Sequence, residues 1–209
     1  MEKSTELYLK NTESSAAEAL KMVDDYINAQ DLEKKKALHL RLLAEETIGM
    51  VRAMAGEFKA LFWLEEENGE YRVRLTAKTE MDKGKKQDLL SVSKSGKNAS
   101  AKGFMGKIGE LIENGLLHYS EVMKLQQEYG GGYVDYALIG CDVPEAPLMG
   151  EPIVWSLNNY KEGLEQADDS DAPAKEAWDE LEKSIVASIA KDVVVGVKKD
   201  RVEMTIIAG

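Results

Sequence analysis

Two adjacent carboxylates, Glu45 and Glu46, stand in the middle of a helical pattern that runs from Lys36 to Phe58, KALHLRLLAEETIGMVRAMAGEF. Side chains three and four positions apart are neighbours on a helix. Glu45 therefore lies over the turn of Arg41 and near Arg52, within reach of a surface ion pair worth about 0.2–0.5 kcal/mol. Glu46 has Leu42, Leu43 and Met50 as its neighbours, with Ala53 seven positions on along the same side, so its carboxylate stands at the edge of an apolar stripe with no local cation. A carboxylate that does chemistry is expected in such a setting, although a glutamate at the border of a helix face is most often just solvated.

A second candidate is the stretch from Lys78 to Lys107, where eight lysines face only Glu80, Asp82 and Asp88, a local net charge of +5 in a chain of net charge −11. Such a stretch fits an anion such as a phosphate, or a loop made lysine-rich for solubility. The segment from Glu162 to Glu182 is the counterweight, with nine acids against Lys175. Other chemistry finds little support. One cysteine, Cys141, and two histidines, His39 and His118, give no internal disulfide, no zinc-ligand spacing and no nucleophile and base pair. The overall negative charge argues against sequence-independent binding of nucleic acid, which rests on neutralising phosphates. No run nears the roughly 18 apolar residues of a membrane span, and MEKSTELYLKNTES does not read as a secretion signal, so a cytoplasmic protein is expected.

The elements that must position these residues follow from periodicity. Thr5 to Leu9 reads as a weak edge strand, and Ser14 to Gln30 as an amphipathic helix with Ser14 and Ser15 at its cap. Asp31 reads as the N-cap of the long helix, whose buried stripe is Leu40, Leu43, Ala44, Thr47, Val51, Met54 and Ala55. Phe58 to Glu65 and Tyr71 to Lys78 flank an Asn68-Gly69 turn, a strong hairpin signal. The second of these strands alternates Tyr71, Val73, Leu75 and Ala77 with Arg72, Arg74, Thr76 and Lys78, so one face of the sheet is expected to be buried and the other wet.

Glu80 to Ala101 reads as loop, Phe104 to Leu117 and His118 to Tyr129 as helices, and Tyr133 to Pro152 as irregular. Trp155 to Gln166 and Ala172 to Ala190 have helical patterns, and Val193 to Val197 with Val202 to Ile207 makes a closing hairpin around Lys199-Asp200. The expectation is a single α/β domain over residues 1–209. It is a two-layer α/β sandwich with a mostly antiparallel or mixed sheet and helices on one face, built on four strong strands and a weak one. A helical insertion at about 116–171 packs on it, being too short in apolar periodicity to hold a core of its own.

This order of elements resembles the GHKL ATPases, the superfamily of histidine-kinase ATP-binding domains, and within it the anti-sigma-factor serine kinases. The family's long helix carries a glutamate followed four residues later by a magnesium-holding asparagine. In LLAEETIGMV those positions fall on Glu46 and Met50, so the metal ligand is replaced. A strand pair then leads to a D-x-G-x-G box, here TEMDKGKK, with Asp82 and Gly84 in place and Lys86 at the second glycine. A glycine turn before a helix follows, here GKNASAKGFMGKI with Gly103 and Gly106. The likeness spans Thr5 to about Leu117 and the final hairpin.

The resemblance implies ATP or ADP as ligand. Asp82 would accept from the adenine amino group, Gly84, Gly103 and Gly106 would let the backbone approach, and Lys97 or Lys102 would reach the phosphates. Glu46 would be the base or water-orienting carboxylate of a protein serine kinase or ATPase. Magnesium loses its ligand at Met50, which leaves catalysis open while binding can survive. The implied partner is a regulatory protein, with a homodimer among the open assemblies. A second reading from the same fold is a non-catalytic interaction module, with Tyr133, Tyr136, Met149 and Trp155 as anchors or as the small core of the insertion.

Overall fold

The computed structural model describes residues 2–53, 59–78, 104–106, 108–109, 153–168, 172–198 and 201–209. These form a mixed α/β fold around a seven-stranded sheet in which every pairing is antiparallel. The strands are β1 (Glu2–Lys3), β2 (Leu7–Lys10), β3 (Lys59–Glu67), β4 (Glu70–Lys78), β5 (Ile153–Ser156), β6 (Ala190–Lys198) and β7 (Arg201–Ala208). The helices are α1 (Glu13–Ala29), α2 (Lys34–Ala53), α3 (Leu157–Glu165), α4 (Ala172–Glu182) and α5 (Ile185–Ile189). The sheet order is β1-β3-β4-β7-β6-β5, with β2 also on β3. The two hairpins are therefore neighbours through the β4 and β7 ladder.

Register explains which side chains meet. Leu75 is opposite both Phe62 and Met204, and Val73 is opposite both Leu64 and Ile206. Because strand side chains alternate, these residues together with Ala60, Ala77, Val193, Val195 and Val202 share one face, and all are buried. The buried apolar residues of helices α1 to α5, among them Val23, Leu43, Leu157, Leu181 and Val186, join the same cluster. That arrangement is consistent with a two-layer α/β sandwich. The β3 and β4 strands turn at Asn68 (φ +56) and Gly69 (φ +81), the left-handed pair that a two-residue hairpin needs for its twist to match the strands.

Several boundaries differ from the sequence reading, each for a local reason. The cap of α1 is Thr12, whose hydroxyl accepts from the Ser15 amide at 3.4 Å. Ser15 itself is buried, donates to the Tyr8 carbonyl at 3.3 Å and accepts from the Lys10 amide at 2.9 Å, so it ties the helix to β2 instead of capping. Asp31 has φ +46 and is a left-handed turn residue, not an N-cap; the first bond of α2 runs from the Ala37 amide to the Glu33 carbonyl. The buried stripe of α2 is wider than the spacing predicts, since Ile48 and Met50 join it; Met54 and Ala55 lie outside the described residues.

Trp155 is on a strand rather than a helix, so the expected helical insertion contributes β5 to the sheet edge, where Trp155 is in register with Val195. Ser156 then caps α3 by accepting from the Asn159 amide at 3.2 Å. The expected helix from Ala172 to Ala190 breaks because Ser184 caps a new helix through the Ala187 amide, and Ala190 begins β6. The loop expected over residues 80–101 and the elements expected over 110–152 lie outside the described residues.

The N-terminal edge also exceeds the single weak strand expected. Between the Glu2 and Leu7 pairings the edge advances one residue more than β3 does between Glu66 and Phe62. Ser4 bridges the irregularity: its amide donates to the Leu64 carbonyl at 2.9 Å, and its hydroxyl accepts from the Leu64 amide at 2.9 Å. An extra residue of this kind bends an edge strand and discourages pairing with a further strand.

Candidate functional site

Helix α2 sets Glu46 and Met50 one turn apart. Glu46 is half-buried, and among the described residues it makes no hydrogen bond or ion pair. Glu45 is occupied elsewhere. It pairs with Arg41, which also holds Asp24 of α1, while Arg52 reaches Glu13 at 3.9 Å instead of approaching Glu45. Burial works against the charge of Arg41, but its bonds to Glu45 and Asp24 outweigh that cost and raise its pKa. The distinction drawn between the two glutamates therefore holds in space: one is part of a surface ion network and the other stands apart.

Met50 is 5% exposed. Its neighbour is the short helical run containing Phe104–Gly106 and Ile108–Gly109, where a Cβ placed on Gly109 would meet Met50 Cγ at 3.5 Å. That spacing is ordinary van der Waals contact for a Cβ, so the run lies beside α2 one turn from Glu46 without any need for glycine at position 109. Phe104, Met105 and Ile108 are buried and belong to the main core cluster, so the run is anchored by its own apolar side chains. Gly106 is buried within it. Asp82, Gly84, Lys97, Lys102 and Gly103 lie outside the described residues, four positions and more beyond the end of β4 at Lys78.

A magnesium ion of the kind the resemblance implies would need hard oxygen ligands, and the buried thioether of Met50 does not fit that need. Among the described residues no group of three or more His, Cys, Asp or Glu side chains is arranged to hold a metal ion.

The opposite face of the sheet holds a cluster that the sequence reading missed. Trp63 is 8% and Glu65 7% exposed although both sit on the face expected to be wet. Trp63 Nε1 donates to Glu65 Oε2 at 2.7 Å, Arg74 Nε lies 3.5 Å from Glu65 Oε1, and Arg74 Nη1 donates to Thr205 Oγ1 at 2.6 Å. Lys3 Nζ stands 4.3 Å from the Trp63 ring centre, and the Arg74 guanidinium carbon stands 5.6 Å from it. Each such cation and ring pair contributes about 0.5–1 kcal/mol at an exposed site. The cluster cross-links β1, β3, β4 and β7, and its polar groups are spent on one another, which makes it a brace for the sheet. Its signal was the pairing of Trp63 with Arg74 across the hairpin, readable only once the turn fixes the register.

No protein-family model matches the chain, and no curated protein or solved structure is significantly similar to it. Among the described residues no helix is long and apolar enough to cross a membrane.

Proposed function

We propose that this chain is a GHKL-like, ATP-binding regulatory protein that resembles the anti-sigma-factor serine kinases and holds adenine nucleotide beside Glu46 with little use of magnesium. The observation that carries the reading is the nearness of Met50 to Gly109, where an added Cβ would lie 3.5 Å from Met50 Cγ. It sets the glycine-bearing run beside α2 one helical turn from Glu46, and these are the two elements to which the resemblance assigns the carboxylate and the phosphates. Support also comes from the long helix lying on an antiparallel sheet in which the β3 and β4 hairpin neighbours the β6 and β7 hairpin. In this reading Asp82 accepts from adenine, Gly84, Gly103 and Gly106 admit the nucleotide to the backbone, Lys97 or Lys102 neutralises phosphate, and Glu46 orients a water or takes a proton.

The specific observation favouring the second reading, a non-catalytic interaction module, is the burial of Met50, because a metal-poor site loses the charge neutralisation on which phosphoryl transfer depends. Calorimetric titration with ATP and with ADP separates the two. Saturable heats support the nucleotide reading, and no binding at millimolar nucleotide gives the case to the interaction module.

A further inference from the structure

We propose that the sheet face turned away from the helices carries a docking surface for an acidic segment of a partner protein, formed by a row of cations across five adjacent strands. Lys10 of β2 is in register with Lys59 of β3, and Arg201 of β7 is in register with Lys78 of β4 on one side and with Lys198 of β6 on the other. Lys59 and Lys78 are the next step of the β3 and β4 ladder after Ala60 and Ala77, which makes the row continuous. Leu9, Ala60, Ala77 and Val202, the neighbours of four of these residues along their strands, are buried in the core, so alternation puts the row on the opposite face. Lys10, Lys59 and Arg201 are exposed. Among the described residues the acid that reaches them is Glu203, 3.6 Å from Arg201 and itself exposed.

Like charges directly opposite on neighbouring strands repel and destabilise a sheet. A lysine on the edge strand β2 can serve to discourage further pairing, but β3, β4, β7 and β6 are interior strands with no edge to protect. A row that costs stability at each step is explained by a partner that neutralises it. At a strand spacing of about 4.8 Å the row runs about 19 Å, the reach of about six residues of extended chain. Beside it, two residues along and in register with each other, stand Tyr8, 71% exposed, and the half-buried Leu61, which offer the segment an apolar contact. A long polyanion such as nucleic acid, or a membrane surface, would extend past so short a row over a protein of net charge −11 and be repelled; a short acidic segment would not. The surface is independent of the nucleotide reading.

The probe is a fluorescein-labelled octaglutamate peptide, followed by anisotropy on the full chain, with thermal melting to show that each variant is folded. The parent is expected to bind it, and Lys59→Glu/Arg201→Glu to weaken binding by at least about tenfold. Lys34→Glu/Lys35→Glu makes the same change in net charge at two exposed lysines of α2 and is expected to stay within about twofold of the parent. Lys59→Glu alone is expected to melt no lower than the parent, because it replaces repulsion by attraction along the row. If the double reversal does not fold, Lys59→Gln/Arg201→Gln removes the same charges and should weaken the peptide in the same sense. Equal losses in the two double reversals, a parent that leaves the peptide unbound at millimolar concentration, or a Lys59→Glu chain that melts below the parent would each overturn the proposal. Tighter binding of phosphatidylserine vesicles or of oligothymidylate, lost in Lys59→Glu/Arg201→Glu, would assign the row to a membrane or to nucleic acid and overturn it as well.

Discussion

Met50 of α2 and Gly109 of the glycine-bearing run face each other, with Met50 Cγ 3.5 Å from the place a Cβ would take on Gly109. The arrangement puts a soft, buried thioether one helical turn from Glu46, where the resemblance calls for an oxygen ligand to magnesium. A thioether packs well and binds hard cations poorly, so in the proposed nucleotide reading this position favours packing over metal recruitment.

Replacing Met50 by asparagine should reverse that balance. An amide oxygen beside Glu46 is expected to make ATP affinity rise with added magnesium, whereas the parent responds little. The amide would be desolvated in the core, at a cost of about 1–3 kcal/mol in folding stability. Denaturant melts and nucleotide titrations with and without magnesium read the two effects separately. A variant as indifferent to magnesium as the parent would show that position 50 is not where metal belongs.

Leu157 is fully buried and opens α3 directly after the β5 strand. If the end of the expected insertion is part of the main core, Leu157→Ala should cost about 2–5 kcal/mol of global stability, as large core truncations do. Denaturant unfolding should remain a single transition with a lowered midpoint. A separate early transition that takes all of the loss would mean that this segment unfolds on its own.

Tyr26 supplies a pH prediction. Burial, together with the nearby Tyr71 and the carboxylates of Glu2, Glu66 and Glu65, pushes its hydroxyl up to about 12 from the ordinary 10. The hydroxyl donates to the Glu2 carbonyl at 3.2 Å, so ionisation would also forfeit that bond. The folded state holds this proton more tightly than the unfolded chain does. Its contribution to stability is therefore complete below pH 10 and is lost as pH rises through about 12. Tyr71 is shifted in the same direction, by burial and then by Glu66 and Glu2, and adds to the same alkaline limb. Tyr26→Phe should flatten that limb in melts between pH 9 and 12; an unchanged slope would show that another group governs it.

Much of the fold was legible because its signals are local. The Asn68-Gly69 turn, the alternation from Tyr71 to Ala77 and the leucine spacing of α2 each depend on residues within a turn or two. What was missed depends on partners distant in sequence. Trp155 lies on β5 because β6 offers it a ladder, against a helical pattern of its own, and Ser15 turns from capping to hold β2 because Tyr8 and Lys10 are there. Trp63 and Glu65 are buried on a face whose sequence alternation reads as wet, since Lys3, Arg74 and Thr205 converge on them from three other strands. In the candidate site, the solitary position of Glu46 could be read from one helix. The nearness of Met50 to Gly109 could not, because glycine leaves no hydrophobic signal and the two lie 59 positions apart.

The most direct measurement is calorimetry of ATP and ADP binding to the parent and to Asp82→Asn, each with magnesium and with EDTA. A carboxylate that accepts from the adenine amino group discriminates strongly, because its loss leaves a donor unpaired at a cost of about 1–3 kcal/mol, or roughly ten- to hundredfold in affinity. The parent is expected to bind both nucleotides, with an affinity that Asp82→Asn weakens to that extent and that EDTA leaves nearly unchanged. Strict dependence on magnesium, or full affinity in Asp82→Asn, would contradict it.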